Sequence, residues 1–272
     1  MDEYIKANKE LWETWTEIHK TSELYNVEGF LKGDETLDPI EIKELGDVKG
    51  KSLLHLMCHF GIDTLSWARR GAKVTGIDFS EKSIEFACYL AKKININAQF
   101  ICSSIYNLPK IHKEKYDIVF TSGGVLNWLP DLKKWAEIIS KYLKGKGIFY
   151  IREFHPLSFI LDDESSKLNI RYNYFPDKDP LKFESTFSYA DPDRKHKALS
   201  SYEWAYPISL VINSLIKNGL NIEFFNEFAY TTYQAFPFLV KQKIKGVDYW
   251  CLPNKKIKLP LMFSLKAVKK MD

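Results

Sequence analysis

Leu53-Leu54-His55-Leu56-Met57-Cys58-His59-Phe60-Gly61-Ile62-Asp63-Thr64, followed closely by Val74-Thr75-Gly76-Ile77-Asp78-Phe79-Ser80, is the stretch that decides the fold. It opens with a short apolar run over Ser52 to Met57, turns at Gly61 and takes helical spacing from Ile62 to Arg70. Lys73 to Ile77 is a second β-type run, ended by an acid, Asp78. Strand, tight turn, helix and strand make a βαβ unit. Such a unit supplies what a nucleotide needs: a turn after the first strand, a helix N-terminus behind it, and an acid ending the second strand to accept ribose hydroxyls. Asp78 follows His55 by 23 residues, near the roughly 20 expected of this geometry.

Outward from this unit the alternation continues. Ser80 suits the N-cap of a helix with Glu81 in its first turn, running to about Asn95 before a third strand at Ala98 to Cys102. Tyr116 to Thr121 is a fourth strand. A helix from about Leu132 to Leu143 ends in Lys-Gly-Lys-Gly, whose glycines suit a left-handed C-cap and turn, and Ile148 to Ile151 follows as a fifth strand. After Pro156 the alternation stops, and residues 157 to 201 read as a polar, aromatic insertion with Asp-Pro turns at 179–180 and 191–192. It resumes with a helix from about Ile208 to Asn218, stopped by Gly219, a strand near Asn221 to Glu227 and a last strand near Leu261 to Val268. A second aromatic insertion, roughly 229–258, separates those strands. Upstream, Leu11, Trp15 and Ile18 fall at helical spacing and Glu41 to Leu45 suggests a shorter helix, which together form a cap. The expected fold is α/β: a Rossmann-like, doubly wound, mostly parallel seven-stranded sheet with an N-terminal helical cap and aromatic-rich insertions. The 272 residues divide as one domain into a cap (1–46), a cofactor-binding core (47–156), an inserted substrate cover (157–201) and a completion of the sheet (202–272).

Composition excludes several classes. Hydrophobic residues at 45% and charged residues at 27% argue against disorder, collagen-like and coiled-coil architectures. A net charge of +4 with dispersed lysines gives no electrostatic support for a nucleic-acid partner. No apolar run is long enough to span a membrane, and the start lacks a signal peptide's basic and apolar regions, so the expected location is cytoplasmic with no membrane partner. The four cysteines form no C-x-x-C pair, which indicates neither a zinc ribbon nor a disulfide framework. His55, Cys58 and His59 are metal-ligand types, yet structural sites usually need four ligands and no second cluster is visible, so no metal is expected. Aromatic residues are 15% of the chain and many follow Phe149, which fits either a ring-lined pocket or an aromatic core. Nothing in the sequence sets an oligomeric state.

The arrangement resembles the class I S-adenosylmethionine-dependent methyltransferases over about Leu53 to Pro156. The carrying segments are the two quoted above and Tyr116-Asp117-Ile118-Val119-Phe120-Thr121-Ser122-Gly123, continued by Val125-Leu126-Asn127-Trp128-Leu129-Pro130-Asp131, which is similar to a variant frequent in small-molecule methyltransferases. The first motif departs from the usual D-x-G-x-G-x-G: His55 replaces the acid, Met57 the first glycine and His59 the second, and Gly61 remains. The whole His-Leu-x-Cys-His-Phe-Gly string nevertheless resembles a bacterial methyltransferase subgroup, which implies an alternative loop in place of a dead one.

The resemblance implies S-adenosylmethionine as cofactor. It places Met57, Cys58, His59 and Gly61 against the methionine portion and ribose, Asp78 on the ribose hydroxyls and Phe79 against adenine. His55, as a neutral imidazole, would accept from the cofactor's ammonium or a bridging water. Ser104 and Ile105 stand where such enzymes often have an acid and an adenine-contacting apolar residue, and Thr121 and Ser122 would lie beside the sulfonium. Tyr25 and Phe30 would close over the cofactor, whereas Trp12, Trp15 and His19 read as packing contacts. Trp128 is a candidate substrate contact.

In open α/β sheets ligands bind beyond the C-terminal ends of the strands, which makes Arg152, Glu153 and His155 candidate polar groups of the acceptor site. Structural roles are the alternative: an Arg152–Glu153 ion pair and a turn residue before Pro156. Tyr202 and Glu203 are candidate substrate contacts or members of a covering hairpin. Methyl transfer is an in-line displacement that needs alignment and exclusion of water, and a base only when the nucleophile holds a proton; His155 and Glu153 are the candidate bases. Thr-Ser-Gly-Gly after the fourth strand differs from the Asn/Asp-Pro-Pro-Tyr/Phe of amino-methylating DNA enzymes, so the expected acceptor is a small molecule. The rival readings are a dehydrogenase, which would prefer G-x-G-x-x-G, an aminopropyltransferase, which would require acids beside the fourth strand, and a nucleoside binder without catalysis.

Overall fold

The computed structural model describes residues 2–175 and 179–271; residues 176–178 of the first expected insertion, with Met1 and Asp272, lie outside the described residues. Three helices form the cap: α1 (Asp2–His19), α2 (Val27–Lys32) and α3 (Pro39–Leu45). Asp38 starts α3 with a capping box, accepting from the Ile40 amide while Glu41 takes the Asp38 amide. The core then alternates as the hydrophobic pattern requires: β1 (Ser52–Leu56), α4 (Ile62–Arg69), β2 (Lys73–Asp78), α5 (Glu81–Lys93), β3 (Gln99–Cys102), the short α6 (Leu108–Ile111), β4 (Tyr116–Ser122), α7 (Leu132–Tyr142) and β5 (Leu143–Phe154). A hairpin, β6 (Leu181–Ser185) and β7 (Leu199–Glu203), precedes α8 (Ile208–Lys217) and β8 (Leu220–Phe228). A small sheet of β9 (Tyr230–Thr231), β10 (Val240–Ile244) and β11 (Val247–Cys251) comes before the last strand, β12 (Met262–Lys269).

Seven strands make the main sheet in the order β3-β2-β1-β4-β5-β12-β8. Strands β1 to β5 pair in parallel, and β12 runs antiparallel between β5 and β8. The order reverses between β1 and β4, which opens a crevice at the C-terminal ends of those strands. Alternate residues of β1 feed the two layers: Leu53 packs with Trp67, Val74 and Phe120, and Leu54 and Leu56 pack with Trp135, Ile139 and Phe149. Among the described residues no helix is long and apolar enough to cross a membrane.

The fifth strand departs from its expected form. It begins at Leu143 directly after α7, and the Lys-Gly-Lys-Gly segment lies inside it as a bulge instead of a C-cap. The left-handed residue there is Lys146, at φ 62°, and a Cβ on Gly147 would sit 2.9 Å from the Lys144 carbonyl oxygen. The glycine is needed for close approach across the bulge and not to reverse a helix.

At the other end of β5, Glu153 is fully buried, and its carboxylate accepts from the amides of Gly124 (2.5 Å), Val125 (2.7 Å), Leu126 (3.2 Å) and Phe154 (2.6 Å). Both oxygens are committed to the backbone, so Glu153, a candidate base on sequence grounds, is instead the anchor of the loop after β4. Nor does it pair with Arg152, whose guanidinium binds Glu41 of α3 at 2.9 Å. Glu153→Ala should lower unfolding stability by on the order of 3 kcal/mol, because several buried amides lose a charged acceptor. Urea unfolding checks this, and a loss below about 0.5 kcal/mol, the level of an ordinary surface substitution, would show that the loop holds without it.

Candidate active site

A cavity of 740 Å³ opens at the C-terminal ends of β1, β2, β4 and β5 under the helical cap. Its size is that of small-molecule and cofactor sites. The loop from Met57 to Gly61 forms one wall. Gly61, at φ 75°, begins α4, and a Cβ there would stand 2.6 Å from the Phe100 ring, so glycine is required on both counts. Met57 (φ 58°) and His59 (φ 50°) are left-handed as well. All three positions that are glycine in the usual motif are thus left-handed here, two of them with side chains that strain the backbone by about 1 kcal/mol or more each.

Contacts around the loop hold that strain. The His59 amide donates to Asp78 Oδ2 at 2.8 Å and the Cys58 amide to the Ile77 carbonyl at 2.8 Å. The His59 ring bridges Ser83 Oγ (3.0 Å) of α5 and His19 Nδ1 (2.9 Å) of α1. Burial and the neighbouring His19 and Lys20 hold the His59 pKa well below the usual range, so the ring is neutral.

Asp78 ends β2 at the cavity, accepting from the amides of His59 and Ser80 and keeping further lone pairs for a ligand. Burial pushes its pKa up to about 6. Phe79, Ser104 and Ile105 line the same stretch of wall. His55 lies behind the loop, with Nδ1 on Thr64 Oγ1 at 2.8 Å, a ring packed edge-on to Phe120 and a pKa lowered by burial to about 3. Its Nε2 has no hydrogen-bond partner among the described residues.

At the β5 end three carboxyls, Asp38, Glu41 and Asp63, surround the Arg152 guanidinium. Arg152 and Asp63 line the cavity with Asp38, and Asp63 accepts from Thr36 at 2.7 Å and from Ser122 at 3.4 Å. Desolvation raises Asp63, and it raises Glu41 to about 7. Another part of the wall is aromatic. Trp12 meets Trp128 edge-on at 5.3 Å, the Tyr25 and Tyr189 hydroxyls are 2.5 Å apart, and Tyr189 stacks on Tyr233 at 5.4 Å. Tyr189 and Tyr233 come from the two insertions.

Of the residues singled out by sequence, Tyr25, His55, Met57, Cys58, His59, Gly61, Asp78, Phe79, Ser104, Ile105, Ser122, Trp128 and Arg152 line this cavity. Five do not. Thr121 is sealed within the sheet, with its hydroxyl unpartnered. Glu153 is the loop anchor described above. His155 turns toward β8 and β12, packed on Phe225 and Phe263, with Nδ1 accepting from the Leu157 amide and Nε2 3.1 Å from Glu227. It faces the far end of the sheet and not the cavity, so it is no base for a ligand there. Tyr202 and Glu203 belong to a strand laid along α1: Asn8 brackets the Tyr202 backbone, the Tyr202 ring lies on Tyr4, and Glu203 accepts from Asn127 at 2.7 Å.

Conversely, Trp12 and His19, read as packing residues, touch the site, Trp12 as lining and His19 through His59. Asp63 was within reach of sequence reasoning as an acid in the first turn of the helix behind the turn. Asp38 and Glu41 are hidden by their capping role, and Tyr189 and Tyr233 sit in segments without periodicity.

Residues 47–196 match the family described as "Methyltransferase domain". Ubiquinone biosynthesis O-methyltransferase of Coxiella burnetii is 29% identical over 138 residues, 48% of this chain and 58% of that protein. The protein of the same name from Saccharophagus degradans is 30% identical over 130 residues, 46% of this chain and 55% of its own. The chain therefore matches little more than half the length of these curated relatives. Among solved structures, an S-adenosylmethionine-dependent methyltransferase from Mesorhizobium loti superposes with a TM-score of 0.59 at 19% identity, covering 88% of this chain and 100% of that one. A putative S-adenosylmethionine-dependent methyltransferase from Listeria monocytogenes gives 0.55 at 21%, covering 85% and 97%. The chain belongs to the methyltransferase domain family and has the fold of S-adenosylmethionine-dependent methyltransferases.

Proposed function

We propose that the protein transfers the methyl group of S-adenosylmethionine to a small molecule held at the aromatic end of the cavity. The observation that carries this is the Asp78 carboxylate at the end of β2, facing a cavity walled by a left-handed loop and a helix N-terminus. The donor set fits the cofactor: an acid for the ribose diol, apolar walls at Phe79 and Ile105 for the base, and an acidic end for an ammonium. When bound, S-adenosylmethionine supplies a methyl carbon already activated by sulfonium charge.

The chain's own work is positioning and exclusion of water. Asp78 holds the ribose, Ser122 and the backbone of Gly123 and Gly124 form the floor between the two ligands, and Glu153 fixes that floor through the amides it binds. Trp12, Trp128, Tyr189, Tyr233 and Phe154 shape the acceptor end for a flat, largely apolar molecule. Burial raises the pKa of Tyr25, Tyr189 and Tyr233 well above the ordinary phenol range, so none of them serves as a base near neutrality. The acceptor atom we infer is one that carries a free lone pair or is ionised at neutral pH.

Ligand binding and its pH dependence test the reading. S-adenosylhomocysteine should bind and raise the melting temperature, and Asp78→Ala should weaken its binding by about 1.5 to 3 kcal/mol, since the ribose hydroxyls lose a charged acceptor. Calorimetry showing unchanged affinity in a folded variant would place the ribose elsewhere. Affinity should also hold above pH 6 and fall below it, because the hydroxyls bind the ionised form of a carboxyl whose pKa is raised to about 6. The same raised value favours folding at low pH, a contribution lost as pH rises from the ordinary carboxylate range through about 6. Affinity and unliganded stability therefore move in opposite senses across this window, and titration calorimetry beside thermal melts checks the pair.

A further inference from the structure

The usual first motif keeps a carboxylate at the position of His55, and here that position holds a buried neutral imidazole. A bound amino-acid ammonium would still need a counter-charge, since burying it unpaired is prohibitive. The nearest turn of the chain supplies one. Asp63 lies two residues beyond Gly61, in the first turn of α4, where the helix dipole favours an anion. It lines the cavity, while the His55 ring, 2% exposed and also on the cavity wall, has an Nε2 without a protein partner. We propose that the acid of the first motif has moved to Asp63, whose carboxylate receives the ammonium of the cofactor's methionine portion, while His55, in the tautomer that donates Nδ1–H to Thr64 Oγ1, accepts through Nε2 from the same group or from a water beside it.

Charge around the site supports this assignment. Asp63, Glu41 and Asp38 stand against one guanidinium, Arg152, and Glu41 is the one bound to it. Glu41 binds Arg152 and the Asp38 amide, whereas Asp38 starts α3 by accepting from the Ile40 amide and accepts from the Tyr249 hydroxyl at 3.2 Å, two neutral donors. Glu41 does not line the cavity, and Asp38 and Asp63 both accept from neutral donors; of these two, Asp63 stands in the helix turn directly after the Met57–Gly61 loop, and Thr36 and Ser122 leave it lone pairs for a cation. Arg152 beside it offers the methionine carboxylate a partner of the right sign. Desolvation raises the Asp63 pKa, a penalty that an ammonium beside it would reverse.

This inference rests on the cofactor reading above, and the test separates the two. Calorimetry would compare S-adenosylhomocysteine with 5′-methylthioadenosine, which has the nucleoside and sulfur but lacks the amino-acid end, on the wild-type protein and on Asp63→Asn. Asn keeps the size of the side chain and an acceptor for Thr36. The expected result is a loss of tenfold or more for S-adenosylhomocysteine with less than a twofold change for 5′-methylthioadenosine. Equal losses for both would mean that Asp63 acts through the fold, and no loss for either would place the ammonium elsewhere; each overturns the proposal and leaves the nucleoside site standing. Binding of neither ligand to the wild-type protein would overturn both readings. Should Asp63→Asn fail to fold, the wild-type protein remains a test with the deaminated analogue of S-adenosylhomocysteine: it should bind at least tenfold more weakly than the parent, and equal affinity would defeat the proposal.

Discussion

The hydrogen bond from the His59 amide to Asp78 is the constraint on which the site depends. It ties the turn after β1 to the end of β2, and it forms only if the chain passes through a left-handed conformation at Met57 and His59. Glycine would adopt that path without strain, and it stands only at Gly61, where the Phe100 ring also leaves no room for a side chain. The other two positions are held by what their side chains reach: Met57 packs against the core beneath the sheet, and His59 is bonded at both ring nitrogens. Side-chain contacts that a glycine could not make therefore hold Met57 and His59 in a left-handed backbone.

A second constraint joins the cap to the sheet. Arg152 on β5 and Glu41 on α3 form a pair almost wholly out of solvent, with the Tyr150 hydroxyl bonded to Glu44 one turn along the same helix. Buried pairs of this kind add little net stability, but breaking one strands a charge, so they fix which surfaces meet. Here they set α3 over the C-terminal end of β5 and bring Asp38 to the cavity wall, with Glu41 buried behind it on Arg152. The surplus of carboxyls over guanidinium is a property of this docking and of no single segment.

The fold was legible because its signals are local and periodic: the apolar runs, the Ser80 cap and the turn at Gly61 each specify their element without help. The cofactor wall was legible for the same reason, since Met57 to Gly61 and Asp78 lie at the ends of those elements. The acceptor end was not. Position beyond a strand's C-terminus brought Arg152 to the cavity but not Glu153 or His155, because alternation along β5 and the turn at Pro156 send consecutive residues to different sides. Glu153 is drawn to the amides of residues 124–126, and His155 into the aromatic layer of Phe225 and Phe263. The Tyr202–Glu203 strand pairs with Leu181–Ser185 and lies along α1, a long-range choice without a periodic signature, and Tyr189 and Tyr233 reach the cavity from loops that sequence spacing does not place.

The polar chain linking those loops to the cofactor wall has a direction that can be deduced. The Thr16 hydroxyl donates to the Trp12 carbonyl at 2.7 Å, so it must accept from Ser83, 2.7 Å away. Ser83, its proton committed, then accepts from His59 Nδ1–H, which leaves His59 Nε2 to accept from His19 Nδ1–H and His19 Nε2 to accept from the Ser188 hydroxyl at 2.6 Å. Every donor meets one acceptor, which requires both rings to be neutral, and burial enforces this by holding His19 down to about 3 and His59 well below its usual range. A proton added to either ring would set two donors against one another at the His19–His59 contact or turn a donor onto a hydroxyl already donating. Five residues on α1, the loop after β1, α5 and the first insertion thus share one consistent pattern of protons. Docking of Ser188, which carries Tyr189 to the cavity, completes the same network that holds the left-handed turn at His59, so the acceptor cover and the cofactor wall are stabilised together.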